Sequence, residues 1–268
     1  MPRLLKEADL VSASWLITYL GCHPSWRHEA RAEVKRLIAS CSLETVSEPN
    51  FSSTALSSIP LSAWENETPV LDMLVRESVR LSQAFVSFRL NVGPEMYIDG
   101  KVIPRGALVA YPAANVHLDP ALYPDPWKFD PARPQPKGNL TYLGFGGGAC
   151  SWGVPCISYK KGIIATDMNV LFSPLLDPAL AWDALGRTIC MGSRLARLNI
   201  KLVTALLLTD FDFDTVDAGG HVVDSDSAPR PDWNDPFSQP SQGQFFLKYA
   251  RLDNRESRVA GREESSPL

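Results

Sequence analysis

Phe145 is followed by three consecutive glycines, Gly146, Gly147 and Gly148. No other stretch restricts the fold as much. Three residues without a Cβ weaken helix and strand alike, so this is a loop, and one whose backbone another group can approach closely. Cys150 stands just beyond it and Cys156 a little further on. A glycine loop ending in a cysteine suggests a thiolate delivered to a metal at the start of a helix. Yet "SWGVPC", from Ser151 to Cys156, has no helical period. The helix comes later: Arg187 to Leu208 reads as a long helix with its N-terminus near a third cysteine, Cys190.

Five cysteines without a CxxC pair indicate neither a disulfide framework nor a zinc knuckle, and a reduced setting fits better. The formal charge of −4 argues against nucleic acid as a partner, because phosphate binding needs a basic surface. With 268 residues and 45% hydrophobic content the chain can bury a core. No run approaches a membrane span; the most apolar helical stretch, Leu195 to Leu208, is interrupted by Arg197 and Lys201. The opening "MPRLLKEADL" lacks the continuous apolar core of a secretory signal.

Helical spacing of Trp15, Leu16, Tyr19 and Leu20 predicts a first helix ending near Gly21 and Cys22. Pro24 suits the first turn of a second, with Val34, Leu37 and Ile38 on its apolar face. Ser42 to Ser58 reads as a loop. Thr68-Pro69 starts another helix, the cap followed by Pro, and Leu71, Leu74, Val75 and Val79 form its buried face. Asp99-Gly100 between apolar flanks signals a hairpin. Asn115 to Arg133 should be mostly turns with at most one short helix, and Phe211 to Tyr249 strands and turns. The charged tail 253–268 should be disordered.

Glu77 and Arg80 lie three apart in "RESVR" and can pair on one helix face. Alone, such a pair reads as a solvated surface contact. Arg133 closes a second short motif, "WKFDPAR". In order, the chain carries ExxR on a helix, a hairpin, "NVHLDPALYPDPWKFDPAR", a glycine loop with Phe145, and a cysteine before a long helix. Together these resemble the cytochrome P450 family, the haem-thiolate monooxygenases. The resemblance covers nearly all of the chain outside one segment and the tail.

The family's ligand loop runs Phe-x-x-Gly-x-x-x-Cys-x-Gly. Cys150 comes too early after Phe145 and Cys156 too late. Joining "FGGG" to "RTICMG" restores the spacing, so the resemblance implies Cys190 as the catalytic axial thiolate and iron ligand of haem b. It further implies Phe145 and Gly147 against the haem, Arg89 as a propionate partner, and Arg187 as a second one in place of the usual basic residue, where Thr188 now stands. Glu77, Arg80 and Arg133 would form a buried triad. The implied fold is mainly α with small β-sheets (α+β), the C-terminal part of the family's fold with the N-terminal half missing. The implied organisation is one truncated domain over 1–252. Counting back from Trp15, Glu7 and Ala8 fall where the family keeps an acid-alcohol pair, so the alcohol is absent.

The implied activity is insertion of one oxygen atom of O2 into a small organic, secondary-metabolite substrate, as in fungal-like members. Electrons would come from an NADPH-dependent P450 reductase. The expected location is the cytoplasm or the endoplasmic reticulum surface, with membrane association only through a missing N-terminal anchor. The 38 residues 149–186 have no counterpart in the family and read as an insertion or a retained intron. The rival reading is a non-catalytic truncated remnant or mis-spliced form of such an enzyme. A metal- or partner-binding module built on Cys150 and Cys156 lacks both ligand spacing and a nearby His.

Overall fold

The computed structural model describes residues 2–41, 51–83, 86–137, 141–145, 190, 192–232 and 238–252. They fall into two compact units. One draws on 1–82, 129–132 and 195–268, the other on 83–128 and 133–194. Helices dominate the first and short antiparallel sheets the second, the mixed architecture that the sequence implies.

In the first unit, α1 (Pro2–Cys22) and α2 (Pro24–Cys41) meet at His23, and α2 buries Val34, Leu37 and Ile38 as its period predicts. Helix α3 (Phe51–Ser58) corrects the reading of Ser42 to Ser58 as loop, at least over its second half. Its sequence is poor in helix formers, but Ala55, Leu56 and the following Ile59 are buried, and that packing outweighs propensity. Helices α4 (Leu61–Asn66) and α5 (Pro69–Ser82) follow. Leu71, Leu74, Val75 and Val79 line the buried face of α5.

The cap of α5 is not the expected one. The Thr68 hydroxyl donates to Trp64 O (2.8 Å) instead of serving the helix start. That role falls to Glu33 of α2, whose two carboxylate oxygens accept from Val70 N and Leu71 N, each at 2.8 Å. A carboxylate at a helix N-terminus meets both the orphan donors and the positive end of the dipole. Burial raises the Glu33 pKa, while these two donors pull it down.

Helix α7 (Ser193–Asp210) begins three residues after Cys190, close to the predicted start. Its Lys201, an interrupting charge in the sequence, is buried. The ammonium donates to Trp64 O (2.9 Å) and Thr68 Oγ1 (2.8 Å) and pairs with Asp72 (2.8 Å). Charges from α2 and α7 therefore grip the first turn of α5. No described helix is long and apolar enough to cross a membrane.

Strand β5 (Phe211–Val216) pairs antiparallel with β6 (Phe246–Arg251), and every residue of β6 is exposed. The end of α1 rests on β5: Thr215 Oγ1 donates to Thr18 O (2.8 Å). Gly21 is needed for that approach. A Cβ there would stand 2.7 Å from the Thr215 backbone N and collide with its hydroxyl. Gly21→Ala is expected to cost about 1–3 kcal/mol by overpacking, read as a lowered urea midpoint with an unchanged slope.

The second unit holds β1 (Val86–Leu90) paired with β4 (Leu108–Pro112), and β2 (Met96–Ile98) paired with β3 (Lys101–Ile103). The predicted hairpin is present, with Asp99 and Gly100 both at positive φ. Ile98, Ile103 and Val109 form its small core. Helix α6 (Ala113–His117) is the one short helix among the described residues of 115–133.

Candidate functional site

The ExxR pair is buried rather than solvated. Glu77 and Arg80 of α5 are 4% and 1% exposed. They meet through two parallel bonds, Arg80 Nε to Glu77 Oε2 and Arg80 Nη2 to Glu77 Oε1, both 2.8 Å. This fork matches a planar guanidinium to a planar carboxylate. Glu77 Oε1 also accepts from Asp130 N at 3.1 Å, so the loop after "WKF" is tied to α5 by its backbone. Phe129 of that loop stacks on Tyr19 of α1, centroids 4.7 Å apart, and packs against His23 at 4.9 Å. Burial pushes the Tyr19 phenol far above its usual pKa, against the pull of Arg80, and pushes His23 below its own.

Arg133 belongs to the other unit and is also buried there. Its guanidinium donates to the carbonyls of Pro124, Asp125 (3.2 Å) and Lys128 (2.9 Å). It thereby gathers the Pro- and Asp-rich turns into one loop.

The segment entering the glycine run is held by two side chains that sequence reasoning missed. Leu143 N donates to His117 Nε2 of α6 at 2.8 Å, and Tyr123 Oη donates to Thr141 O at 2.7 Å. Tyr142 stacks on the His117 ring, centroids 5.3 Å apart. The only hint in sequence was the placement of a His and a Tyr among turn residues.

Phe145 then makes the contact that organises the site. Its carbonyl accepts from the backbone N–H of Cys190 at 2.8 Å, across 44 intervening residues. Cys190 O in turn accepts from Ser193 N at 3.0 Å, opening α7. The Cys190 thiol is exposed, three residues ahead of an 18-residue helix. Cys22, by contrast, is buried, and burial pushes its thiol up to about 11, which suits a packing residue and not a ligand.

Gly147, Arg187, Cys150, Cys156 and the segment 149–186 lie outside the described residues. Arg89 is placed by its backbone, opposite Val109 in the β1–β4 ladder, but its side chain lies outside the described set. Among the described residues no three His, Cys, Asp or Glu side chains gather to hold a metal. An exposed thiol just ahead of a helix fits a haem iron, which would need only one protein sulfur because the macrocycle brings its own nitrogen donors.

The sequence model of the family described as Cytochrome P450 matches residues 10–150. A cytochrome P450 monooxygenase of Aspergillus aculeatus, AacuE, is 27% identical over 211 residues, covering 76% of this chain and 34% of that protein. The Aspergillus novofumigatus cytochrome P450 monooxygenase nsrP is 27% identical over 208 residues, with coverages of 76% and 34%. A plant protein, cytochrome P450 714B2 of Oryza sativa, is 31% identical over 174 residues, 63% of this chain and 28% of its own. The chain spans about a third of the length of the curated relatives it matches first.

Proposed function

The chain belongs to the cytochrome P450 family, and from that premise we propose that Cys190 is its haem-ligating thiolate, serving a monooxygenase reaction on a small organic molecule. The observation that carries this reading is the Phe145 O to Cys190 N bond, which sets an exposed thiol just ahead of α7 against the residue that precedes the glycines in sequence. Phe145 and the glycines would border the haem, and backbone N–H groups at the start of α7 would hold the negative charge on sulfur. Arg89 and Arg187 are proposed partners of its propionates, a task that suits the bidentate guanidinium. Glu77, Arg80 and Arg133 are proposed to act as one buried charge group that fixes the loops around the thiolate.

The bound group is proposed to be haem b; it would supply the oxidising chemistry, with the thiolate favouring O–O cleavage. The protein's part is to orient, to exclude water and to hold the sulfur ionised. Electrons would come from an NADPH-dependent P450 reductase, and the substrate proposed is of the secondary-metabolite kind; the fungal relatives' names support the monooxygenase part of this reading. The location proposed is the cytoplasm or the endoplasmic reticulum surface.

The test is a reduced, carbon-monoxide-bound absorption spectrum of haem-loaded protein. Cys190→Ser is expected to abolish the thiolate-type Soret band, while Cys150→Ser and Cys156→Ser leave it intact. Retention of the band in Cys190→Ser, with its loss in either of the others, moves the ligand elsewhere.

A further inference from the structure

Two facts meet at the glycine run. The bond between Phe145 O and Cys190 N holds the two residues that flank the 44 between them at hydrogen-bonding distance. The match to the family's sequence model ends at residue 150, where the segment 149–186 has barely begun, while relatives aligned over 76% of the chain continue beyond it. We infer that residues 149–186 are an interruption foreign to this fold, and that its productive chain runs directly from Gly148 to Arg187.

The geometry permits the junction. Without the segment, six residues would join Phe145 to Cys190: Gly146, Gly147, Gly148, Arg187, Thr188 and Ile189. Six residues reach about 20 Å when extended, far more than a hydrogen-bonded pair of ends requires. Three of the six are glycines, which accept the left-handed conformations a short closed loop demands. The Phe145–Cys190 bond, the Cys190–Ser193 bond and the start of α7 all use residues outside the segment. So do His117 and Tyr123, which anchor the approach to the turn. None of these described contacts needs the 38 residues that would be removed.

Closing six residues costs less chain entropy than closing 44, so the shorter form should be the more stable one. The experiment compares thermal unfolding of the full chain with that of the variant lacking 149–186. The expected result is a cooperative transition in the deletion variant, its midpoint raised by about 3–6 °C. A lowered midpoint or a non-cooperative melt overturns the inference. Should the deletion variant fail to fold, a third chain with 149–186 replaced by Gly-Ser of equal length locates the fault. If that chain folds, the turn requires the length; if it does not, the fold requires the residues; both reject a direct junction. Melting is read without haem, so loss of the Cys190 assignment would leave this result standing. In the source organism, sequencing of mature transcripts across codons 148–187 should show messages that join the two directly. Messages that uniformly retain the segment overturn excision.

Discussion

Replacing Glu77 with Ala is expected to destabilise the protein by about 3–5 kcal/mol, the scale for orphaning one member of a buried ion pair. Arg80 is fully enclosed, and its guanidinium would lose both parallel bonds with no water to replace them. Asp130 N would lose its acceptor in the same step, loosening the loop that carries Phe129 onto Tyr19. Equilibrium urea unfolding measures the loss as a fall in midpoint. Glu77→Gln keeps the shape and one acceptor, so it should cost less. Combining Glu77→Ala with Arg133→Ala tests the proposed three-member group. Coupling of about 0.5–3 kcal/mol is expected if Arg133 shares it, and strict additivity removes Arg133 from it.

Arg27→Ala is expected to cost about 2–4 kcal/mol by the same assay. Arg27 of α2 is buried and joins three partners on β5. It donates to Phe213 O, pairs with Asp212 (3.4 Å) and Asp214 (3.1 Å), and lies 5.3 Å from the centroid of the Phe213 ring. The figure is lower than for Glu77 because Asp214 is 38% exposed and water can take over its charge. Arg31 also stays bound to Asp212 at 3.3 Å. Arg27→Lys should recover only part of the loss, since an ammonium cannot reproduce the fork or the stacking. A loss under about 0.5 kcal/mol would place Arg27 with ordinary surface pairs and reject the clasp between α2 and β5.

Much of the frame was legible because local periodicity fixed it. The buried faces of α2 and α5, the Asp99-Gly100 hairpin and the late start of α7 all follow from spacing and turn chemistry. What escaped were pairings between residues far apart in sequence. Thr68 looked like the cap of α5, but Glu33, 37 positions before Val70, does the capping. Lys201 looked like a charge that weakens an apolar helix, yet it is enclosed by Trp64, Thr68 and Asp72. ExxR read as a surface pair until its place in a series of motifs gave it another meaning. At the site, the thiol nearest the glycines in sequence, Cys150, lies outside the described residues, and Cys190 is the ligand proposed. Cys190 stood out because joining "FGGG" to "RTICMG" restores the family's spacing ahead of a long helix, and the Phe145 contact supports that proposal. His117 and Tyr123 were invisible because each acts on a loop whose path no local pattern encodes.

Strand β6 has a consequence for the chain as a material. Its sheet has two strands, so one side of its ladder has no strand partner among the described residues. Phe246 and Tyr249 are each more than half exposed, with Leu247 beside them. An open edge bearing aromatics is a template on which other chains add strands. Lys248 and Arg251 supply the charges that discourage such stacking. In concentrated solution the balance between clumping and dispersal is therefore set at this edge, and high salt, which screens those two charges, shifts it toward clumping.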